Sequence, residues 1–538
     1  MIMRYGQCFR GLKAMNAESR GAVGSIIYSD PMEDGYAPGR DAYPKGPWRP
    51  RSGVQRGSVQ FNSRCAGDPW RLYATNDNQT TVEDICGYPT EELIPRHPVL
   101  PISYGDAEPL LRALGGPIPA AEAGFQGGLE NLVYTVGPSV FDVTLVTNNA
   151  FAPGKIPNVI ATLEGTDREA GPVILGNHRD AWVFGAVDPN SGTTALLEVG
   201  RCLSVLYSGG WRPRRSIVLA SWSGAEYGLL GSTAFAEMHE NEHIMQNAIA
   251  YLNVDIAVGG NKRLEASATH SLDKMFLIAA AKVPSPDDDP SNPQKKLIDN
   301  VSGEMGTLGS GSDYTAFLDR YGIASLDMSY RDYQSDYGVY HSVYDSFDWM
   351  INECDPQFKY HQAMTRLWLV MAYELASSNV LPFAMLDQAE VLVGQISSLS
   401  KSAAALSVDL GFLETSTQKY LEAANFITNE ANNVNDDDAA QIRSINKRLS
   451  TCEREFLGAG LPHRPWFRHL LQAPGMYLGY GSRAFPGIAD ALDAHDRSTA
   501  VEQVKTAGNA LEHAAECLLN AFIAEKDAGD THETEDLI

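Results

Sequence analysis

The stretch GNHRDAWVFGAVDPNSG, residues 176–192, follows the apolar run PVIL and ends in a turn that contains Pro and Gly. His178 stands just after the apolar run and Asp188 just before the turn, so both side chains fall at loops. Sites on open α/β sheets gather where the carboxyl ends of strands run into such loops. A His and an Asp placed there can therefore converge on one point.

Further apolar runs on either side of this stretch predict neighbouring strands. NVIATLEG precedes it, SIVLASW leads into SGAEYGLLGS with Glu226, and AIAYLNVD ends at Asp255. Helix-length segments such as TTALLEVGRCLSVLYSGG alternate with these runs. Alternation of this kind predicts an α/β domain with strands in one sheet.

The residue types at these strand ends indicate a metal site. Zinc is held by imidazole nitrogen and carboxylate oxygen at about 2.0–2.2 Å, and a cluster of His, Asp, Glu and Asp suits it. A metal pair needs a second His, for which His341 in VYHSVYDSFD is a candidate, although by spacing alone several of the twelve histidines would serve. Each residue taken singly could be an ordinary polar loop or capping group, and the prediction rests on their joint placement.

Composition limits the function classes. With 538 residues the chain is too long for one compact core, and two to four domains are expected. A net charge of -25 makes nucleic acid an improbable partner and would repel acidic substrates at long range. No apolar window is long enough to span a membrane, and the first residues lack the apolar core of a signal peptide. The seven cysteines show no CxxC spacing and are expected mostly as buried thiols, and sequons at Asn78 and Asn300 are weak signals.

Three segments of the chain differ in hydrophobic pattern and in turn-forming residues. Residues 1–152 contain short β-like runs, VGSIIYS and VQRGSVQF among them, between Gly, Pro and Asp clusters, and predict a β-rich domain. Residues 153–378 carry the α/β alternation. Residues 379–538 show helical spacing, and the closing EKDAGDTHETEDLI is predicted to be a disordered acidic tail.

Longer motifs carry a resemblance to a known family. They are ILGNHRDAWVFGAVDPNSG, WRPRRSIVLASWSGAEYGLLGSTAFAE, LGSGSDYTAFLDRYGIAS, YHSVYDSFDW, DPQFKYH and AFPGIADAL. Over nearly the whole chain they resemble the glutamate carboxypeptidase family, which includes prostate-specific membrane antigen and the transferrin receptor. The resemblance implies a zinc-exopeptidase mixed sheet flanked by helices, a partial protease-associated domain and a C-terminal helical domain that dimerises.

The resemblance also implies a site with two Zn²⁺ ions. Asp188 would bridge the ions. Glu226 and His341 would complete the ligand set of one ion, and His178 and Asp255 that of the other. Three carboxylates and a bridging hydroxide would offset the charge of the two ions. Asp180 would be a carboxylate that orients a ligating imidazole.

One departure from the family bears on catalysis. The position of the general base, immediately before the zinc-binding glutamate, is Ala225, which accepts no proton. Loss of a positioned base costs about 10² to 10⁴ in rate, so impaired hydrolysis is expected. Ser223 also stands where relatives have an aspartate.

Other departures bear on specificity. Arg10, Tyr340, Tyr480 and Ser312 match residues that contact substrate, and Tyr340 could donate a hydrogen bond to a developing oxyanion. The family's acid-specific basic positions are occupied by Glu265, Asp327, Ser329 and Gly479, so preference for glutamate is not expected. A calcium site of relatives keeps Glu237 but has Ala234 beside it, so no calcium is expected.

The first residues resemble the middle of the family's protease-associated domain, so the chain is expected to lack the membrane anchor and first peptidase strands of relatives, which are single-pass proteins of the cell surface or endomembranes. Two hypotheses follow. The chain is a zinc exopeptidase of carboxypeptidase type that acts on peptides, or it is a catalytically inactive homologue with a receptor or trafficking role like that of the transferrin receptor. A homodimer through the helical domain is expected in either case.

Overall fold

The computed structural model describes residues 1–33, 41–72, 80–119, 124–287, 289–332 and 337–520. Asn78 and the predicted acidic tail lie outside the described residues. No helix within these ranges has the length and apolar character needed to cross a membrane.

Strands and helices follow the order that the sequence predicts, with an α/β region in the middle and helices at the end. The strands are β1 Ile2–Arg4, β2 Ser25–Tyr28, β3 Val99–Ile102, β4 Ile118–Pro119, β5 Thr135–Val136, β6 Val159–Leu163, β7 Val173–His178, β8 Ile217–Trp222, β9 Ala250–Asn253, β10 Arg263–Ala268, β11 Ser325–Arg331, β12 Gln472–Pro474 and β13 Ser482–Ala484. The helices are α1 Arg10–Ser19, α2 Val82–Cys86, α3 Tyr104–Leu114, α4 Asn190–Ser208, α5 Leu230–Glu237, α6 Glu242–Asn247, α7 Asp273–Lys282, α8 Phe347–Trp349, α9 Lys359–Ser377, α10 Met385–Ala405, α11 Gly411–Asn433, α12 Ala439–Thr451, α13 Pro486–Asp493 and α14 Arg497–Leu519.

A six-stranded mixed sheet forms the centre of the molecule, in the order β10-β11-β9-β7-β8-β6. β11, β9, β7 and β8 run parallel, whereas the edge strands β10 and β6 are antiparallel to their neighbours. Successive residues of β7 alternate between two hydrophobic cores, with Val173 and Leu175 facing one and Ile174 the other. Burial on both faces explains why these strands appear in the sequence as continuous apolar runs.

The first part of the chain is less β-rich than predicted. β1, β2 and β3 form a small parallel sheet beside α1 and α3. VGSIIYS contains β2, but VQRGSVQF at 54–61 forms no strand, so that prediction is wrong. Its carbonyl groups accept hydrogen bonds from side chains instead, with Tyr5 Oη donating to Gln55 at 2.8 Å and Arg10 Nη1 to Ser58 at 3.4 Å.

Gly57 shows why this segment cannot extend as a ladder strand. Its φ is +151°, and a Cβ there would lie 2.3 Å from Cζ of Arg10. The backbone therefore passes against the Arg10 guanidinium at a distance that only glycine allows.

Residues 65–72 and 80–93 lie before the predicted boundary at 152 but pack into the α/β region. Cys65, Val82, Cys86 and Leu93 share a hydrophobic core with Trp222 of β8. Cys65 and Cys86 form a disulfide, which differs from the expectation of mostly free thiols. The sequon residue Asn300 is buried. Its side-chain amide accepts a hydrogen bond from Ser285 Oγ and donates one to Asp287.

The C-terminal region is helical, as predicted. α11 and α14 pack together, and Leu413, Tyr420 and Leu511 join the larger core that also contains β7. Asp496 caps α14 by accepting from Thr499 N at 3.1 Å. One continuous core therefore ties the helices to the sheet that carries the candidate site.

Candidate metal centre

Three neighbouring parallel strands deliver three of the predicted residues to one edge of the sheet. β7 lies between β9 and β8 and ends at His178. Asp255 follows β9, and Glu226 lies in a 3-10 turn, Ala225–Tyr227, after β8. Because the strands are parallel and in register, their carboxyl ends, and hence these side chains, meet.

Asp188 lies at the centre of the cluster, between the two imidazoles. Its Oδ1 is 3.3 Å from Nε2 of His178, and its Oδ2 is 3.0 Å from Nε2 of His341. Asp188 therefore approaches both imidazole rings.

The remaining contacts divide the cluster into two overlapping groups. Asp255 Oδ1 lies 3.0 Å from His178 Nε2, and Glu226 Oε1 lies 3.3 Å from His341 Nε2. His178, Asp188 and Asp255 form one group, and Asp188, Glu226 and His341 form the other, with ligand atoms within 4.8 Å of one another. Asp188 is the member that both groups share.

The orientation of the rings suits metal ligation. His178 Nδ1 lies 2.9 Å from the carbonyl oxygen of Asp180, and His341 Nδ1 lies 3.1 Å from that of Arg56. A carbonyl only accepts, so each Nδ1 carries a proton, and Nε2, which faces the carboxylates, is the nitrogen left to ligate a metal. Imidazoles that ligate metals are oriented in this way.

Two carboxylate oxygens in the cluster lack a hydrogen-bond donor. Asp188 Oδ1 and Glu226 Oε1 are buried without a hydrogen-bond partner among the described residues. Buried anionic oxygens left unpaired are costly unless a cation satisfies them. Ligands about 2 Å from a tetrahedral ion lie roughly 3.3 Å apart, close to the spacings observed here. The residues present therefore fit zinc.

The electrostatics of the cluster agree with this assignment. Burial alone would lower the pKa of His178, but Asp255, Asp180 and Asp188 outweigh it and raise that pKa well above its usual value. Burial, reinforced by the charge of Asp188, raises the pKa of Glu226. Without a cation the cluster therefore retains protons, which a bound metal would displace.

Asp180 contacts His178 more closely through its main chain than through its carboxylate. Its backbone carbonyl accepts from His178, whereas its Oδ1 is 3.7 Å from that ring nitrogen. The carboxylate instead accepts from the backbone N–H groups of Ala225 at 3.0 Å and Glu226 at 3.1 Å. Asp180 thus fixes the imidazole through its main chain and the Glu226 turn through its side chain.

Asp345 is a supporting residue that the sequence analysis missed. Its carboxylate accepts from Val187 N at 2.7 Å, Asp188 N at 3.2 Å and Tyr337 Oη at 2.8 Å. Burial raises the pKa of Asp345 to about 7, and the hydrogen bonds oppose that shift. Its place in YHSVYDSFD, four positions after His341, was the signal that the sequence offered.

Ser312, a predicted substrate contact, hydrogen-bonds a candidate metal ligand. The residue is buried, its Oγ donates to Asp255 Oδ2 at 2.6 Å, and it accepts from Asn253 Nδ2 at 3.0 Å. Ser312 therefore orients a candidate ligand from behind.

Arg10, Tyr340 and Tyr480 do come together beside the cluster. Arg10 is only 4 % exposed, and its guanidinium donates to Tyr480 Oη at 3.0 Å and to Tyr340 Oη at 3.4 Å. Its Nη2 lies 3.4 Å from His341 Nδ1, and the ring of Tyr340 stacks on His341 with centroids 3.7 Å apart. Among the described residues, Arg10 forms no salt bridge with a carboxylate.

Comparison with known proteins agrees with this architecture. The PA domain profile matches residues 1–60, Peptidase family M28 matches 158–357, and the transferrin receptor-like dimerisation domain matches 402–519. A "Probable glutamate carboxypeptidase LAMP1" of Arabidopsis thaliana is 37 % identical over 502 residues, covering 90 % of this chain and 69 % of the relative. The chain belongs to the glutamate carboxypeptidase and transferrin receptor family of zinc peptidases.

Other members of this family are similar over comparable lengths. A "Probable glutamate carboxypeptidase" of Arthroderma benhamiae is 37 % identical over 98 % of this chain and 74 % of its own. "Aminopeptidase NAALADL1" of Rattus norvegicus is 33 % identical over 91 % of this chain and 68 % of its own. The family thus includes proteins named for cleavage at either end of a peptide.

The structure also places three residues that the sequence analysis compared with the family pattern, Ala225, Glu265 and Glu237. Ala225 is buried, with its methyl group in an apolar cluster. Glu265 of β10 lies opposite Ser329 of β11 and pairs with Arg263 at 2.8 Å. Glu237 belongs to neither of the two potential metal-binding groups found among the described residues.

The shared position of Asp188 in this zinc peptidase homologue generates a prediction. Asp188→Asn should lose most of its bound zinc, because Asp188 belongs to both ligand groups. Asp255→Asn should lose less, because Asp255 belongs to only one. Metal content of the purified variants, measured by elemental analysis after zinc loading, checks the difference.

Asp345→Asn is the intermediate case. It weakens a support of Asp188 without removing a ligand, and the loss of such a support typically lowers metal affinity by about 10–100-fold. If Asp188→Asn binds as much zinc as the unmodified chain, Asp188 is not a shared ligand.

Proposed function

We propose that this chain is a zinc exopeptidase of carboxypeptidase type, with a two-ion site and a hydrolytic rate limited by Ala225. The observation that carries the proposal is Arg10, which is buried, forms no salt bridge among the described residues and lies beside five side chains that could hold metal ions. The family supplies the peptidase class, and the chain's own residues supply the direction of cleavage.

His178, Asp188 and Asp255 would hold one ion, and Asp188, Glu226 and His341 the second. Two zinc ions, when bound, would polarise the scissile carbonyl and lower the pKa of an attacking water. Asp180 and Asp345 hold the loops that carry Glu226 and Asp188, which keeps the ligands in place when substrate enters.

Arg10 favours a peptide C-terminus. Its positive charge would pair with a terminal carboxylate, and the hydroxyl groups of Tyr340 and Tyr480 would hold the guanidinium in place. The same charge would repel a protonated N-terminal amine, which disfavours aminopeptidase action. Tyr340 would also donate to the carbonyl oxygen as negative charge develops there.

Ala225 limits the chemistry. Its backbone N–H is fixed by Asp180, so position 225 lies in the loop that presents Glu226, but the methyl group cannot take a proton. Glu226 cannot readily replace the base, because a ligating carboxylate has its lone pairs engaged. This substitution favours the second candidate function, a catalytically inactive homologue with a receptor or trafficking role.

Ala225→Glu should raise kcat for release of a C-terminal residue by about 10² or more, because it returns a proton acceptor to the loop. Zinc-loaded enzyme and a library of short peptides with free C-termini provide the assay. Ala225→Gln, nearly the same size without the basic carboxylate, is the matched control and should show no increase.

Turnover by the unmodified chain at about 1 s⁻¹ or faster would contradict the assigned role of Ala225. If Ala225→Glu and Ala225→Gln bind zinc equally and both stay inactive, the receptor-like alternative is favoured.

Arg10→Met should reduce kcat/KM by about 10²-fold for peptides with a free C-terminus and leave amidated peptides unaffected, because only the former carry the charge that Arg10 pairs. The assay is carried out in the Ala225→Glu background, because its higher expected turnover makes a loss of kcat/KM measurable. Arg112→Met, at an exposed arginine of α3, is the control. An equal loss on both peptide types would contradict carboxylate recognition, and cleavage that requires a free N-terminus would identify an aminopeptidase.

The helical region supports a homodimer. Residues 402–519 match a dimerisation domain, and they expose Phe412 and Phe426 of α11 and Val501 of α14. We include dimerisation through this region in the proposal for either candidate function.

A further inference from the structure

Two free thiols meet in the helical region. Cys452 begins a 3-10 helix, Cys452–Phe456, directly after α12, and Cys517 lies in the last turn of α14. Their Sγ atoms are 2.9 Å apart, although 65 positions separate them in the sequence. Two sulfur atoms this close are already positioned for bond formation.

The two cysteines differ in access to solvent. Cys452 is fully buried, and besides Cys517 its Sγ contacts the carbonyl oxygen of Ala514 at 3.8 Å. Cys517 is half-buried, and Thr451 Oγ1 lies 3.7 Å from its sulfur. A dissolved reagent can therefore reach Cys517 first, and Cys452 only through it.

The acidity of the thiols differs in the same direction. The hydrogen bond from Cys452 lowers the pKa of Cys517, whereas burial raises that of Cys452. The thiolate is the reactive species, so the accessible partner is also the better nucleophile.

We propose that Cys452 and Cys517 are a modification site that closes to a second disulfide by exchange with a small-molecule disulfide such as oxidised glutathione. The Cys517 thiolate attacks one sulfur of the reagent and displaces the first glutathione thiolate, leaving a mixed disulfide. Cys452 then loses its proton to solvent and attacks Cys517 Sγ, releasing the second glutathione. Two protein thiols are oxidised and one glutathione disulfide is reduced to two glutathione molecules.

Closure would tie the end of α14 to the end of α12. α14 packs on α11 within the region that matches a dimerisation domain. The cross-link would restrict the unfolded chain and so stabilise this region. The Cys65–Cys86 disulfide lies in a different part of the molecule and leaves this pair independent.

The test uses the whole 538-residue chain, incubated with oxidised glutathione at neutral pH, then denatured, alkylated and digested for mass spectrometry. We expect a peptide that links Cys452 to Cys517, and a rise in melting temperature of about a few degrees relative to untreated protein. Both cysteines alkylated while Cys65–Cys86 stays linked would overturn the proposal, as would glutathione retained on Cys517 without a link to Cys452.

Variants separate the pair from other thiols. Cys517→Ala should abolish both the link and the rise in melting temperature, whereas Cys354→Ala, which removes a buried thiol elsewhere, should keep both. An equal rise in Cys517→Ala would place the stabilisation outside this pair. The peptide map of the unmodified chain decides the proposal even if a variant fails to fold.

Discussion

The carboxylate of Asp188 lies between two imidazoles, 3.3 Å from His178 and 3.0 Å from His341, and the organisation of the site depends on it. Three carboxylates in one buried place repel one another unless cations or protons compensate them. The fold adds rigid supports that hold these charged groups in place. Parallel strand ends set His178, Glu226 and Asp255, while Asp180 and Asp345 use their oxygens to fix backbone N–H groups of the adjoining loops.

The site is completed by a segment far away in the sequence. Arg56 exchanges hydrogen bonds with His341, because its N–H donates to the His341 carbonyl at 3.0 Å and its own carbonyl accepts from His341 Nδ1 at 3.1 Å. Arg10 reaches the same histidine from α1. The first part of the chain therefore fixes one candidate ligand and supplies the charge proposed to choose the substrate. Loosening of that part would disturb metal binding and specificity together.

Much of this arrangement could be predicted from the sequence. The apolar runs before His178 and Asp255 predicted two strands that the structure contains. Burial on both faces of a parallel sheet makes such strands continuously apolar, so they are easy to recognise. His341 could be singled out only through the resemblance, since it lies on a loop that no periodicity marks. The role of Asp180 was only partly predicted, because a sequence does not distinguish its carbonyl from its carboxylate as the partner of His178.

The wrong predictions share a cause, which is that tertiary contacts override local pattern. VQRGSVQF has the alternation of a strand, but its carbonyls are taken by Tyr5 and Arg10 and its Gly57 passes against the guanidinium. The disulfide between Cys65 and Cys86 depends on chain segments brought together only by folding.

The central proposal is that Asp188 would be a ligand shared by two zinc ions. Anomalous diffraction at the zinc edge from crystals of the zinc-loaded chain tests it most directly. The account predicts two peaks, one beside His178 and Asp255 and the other beside Glu226 and His341, with Asp188 between them. Peaks elsewhere, or a single peak that leaves one imidazole without metal, would contradict it.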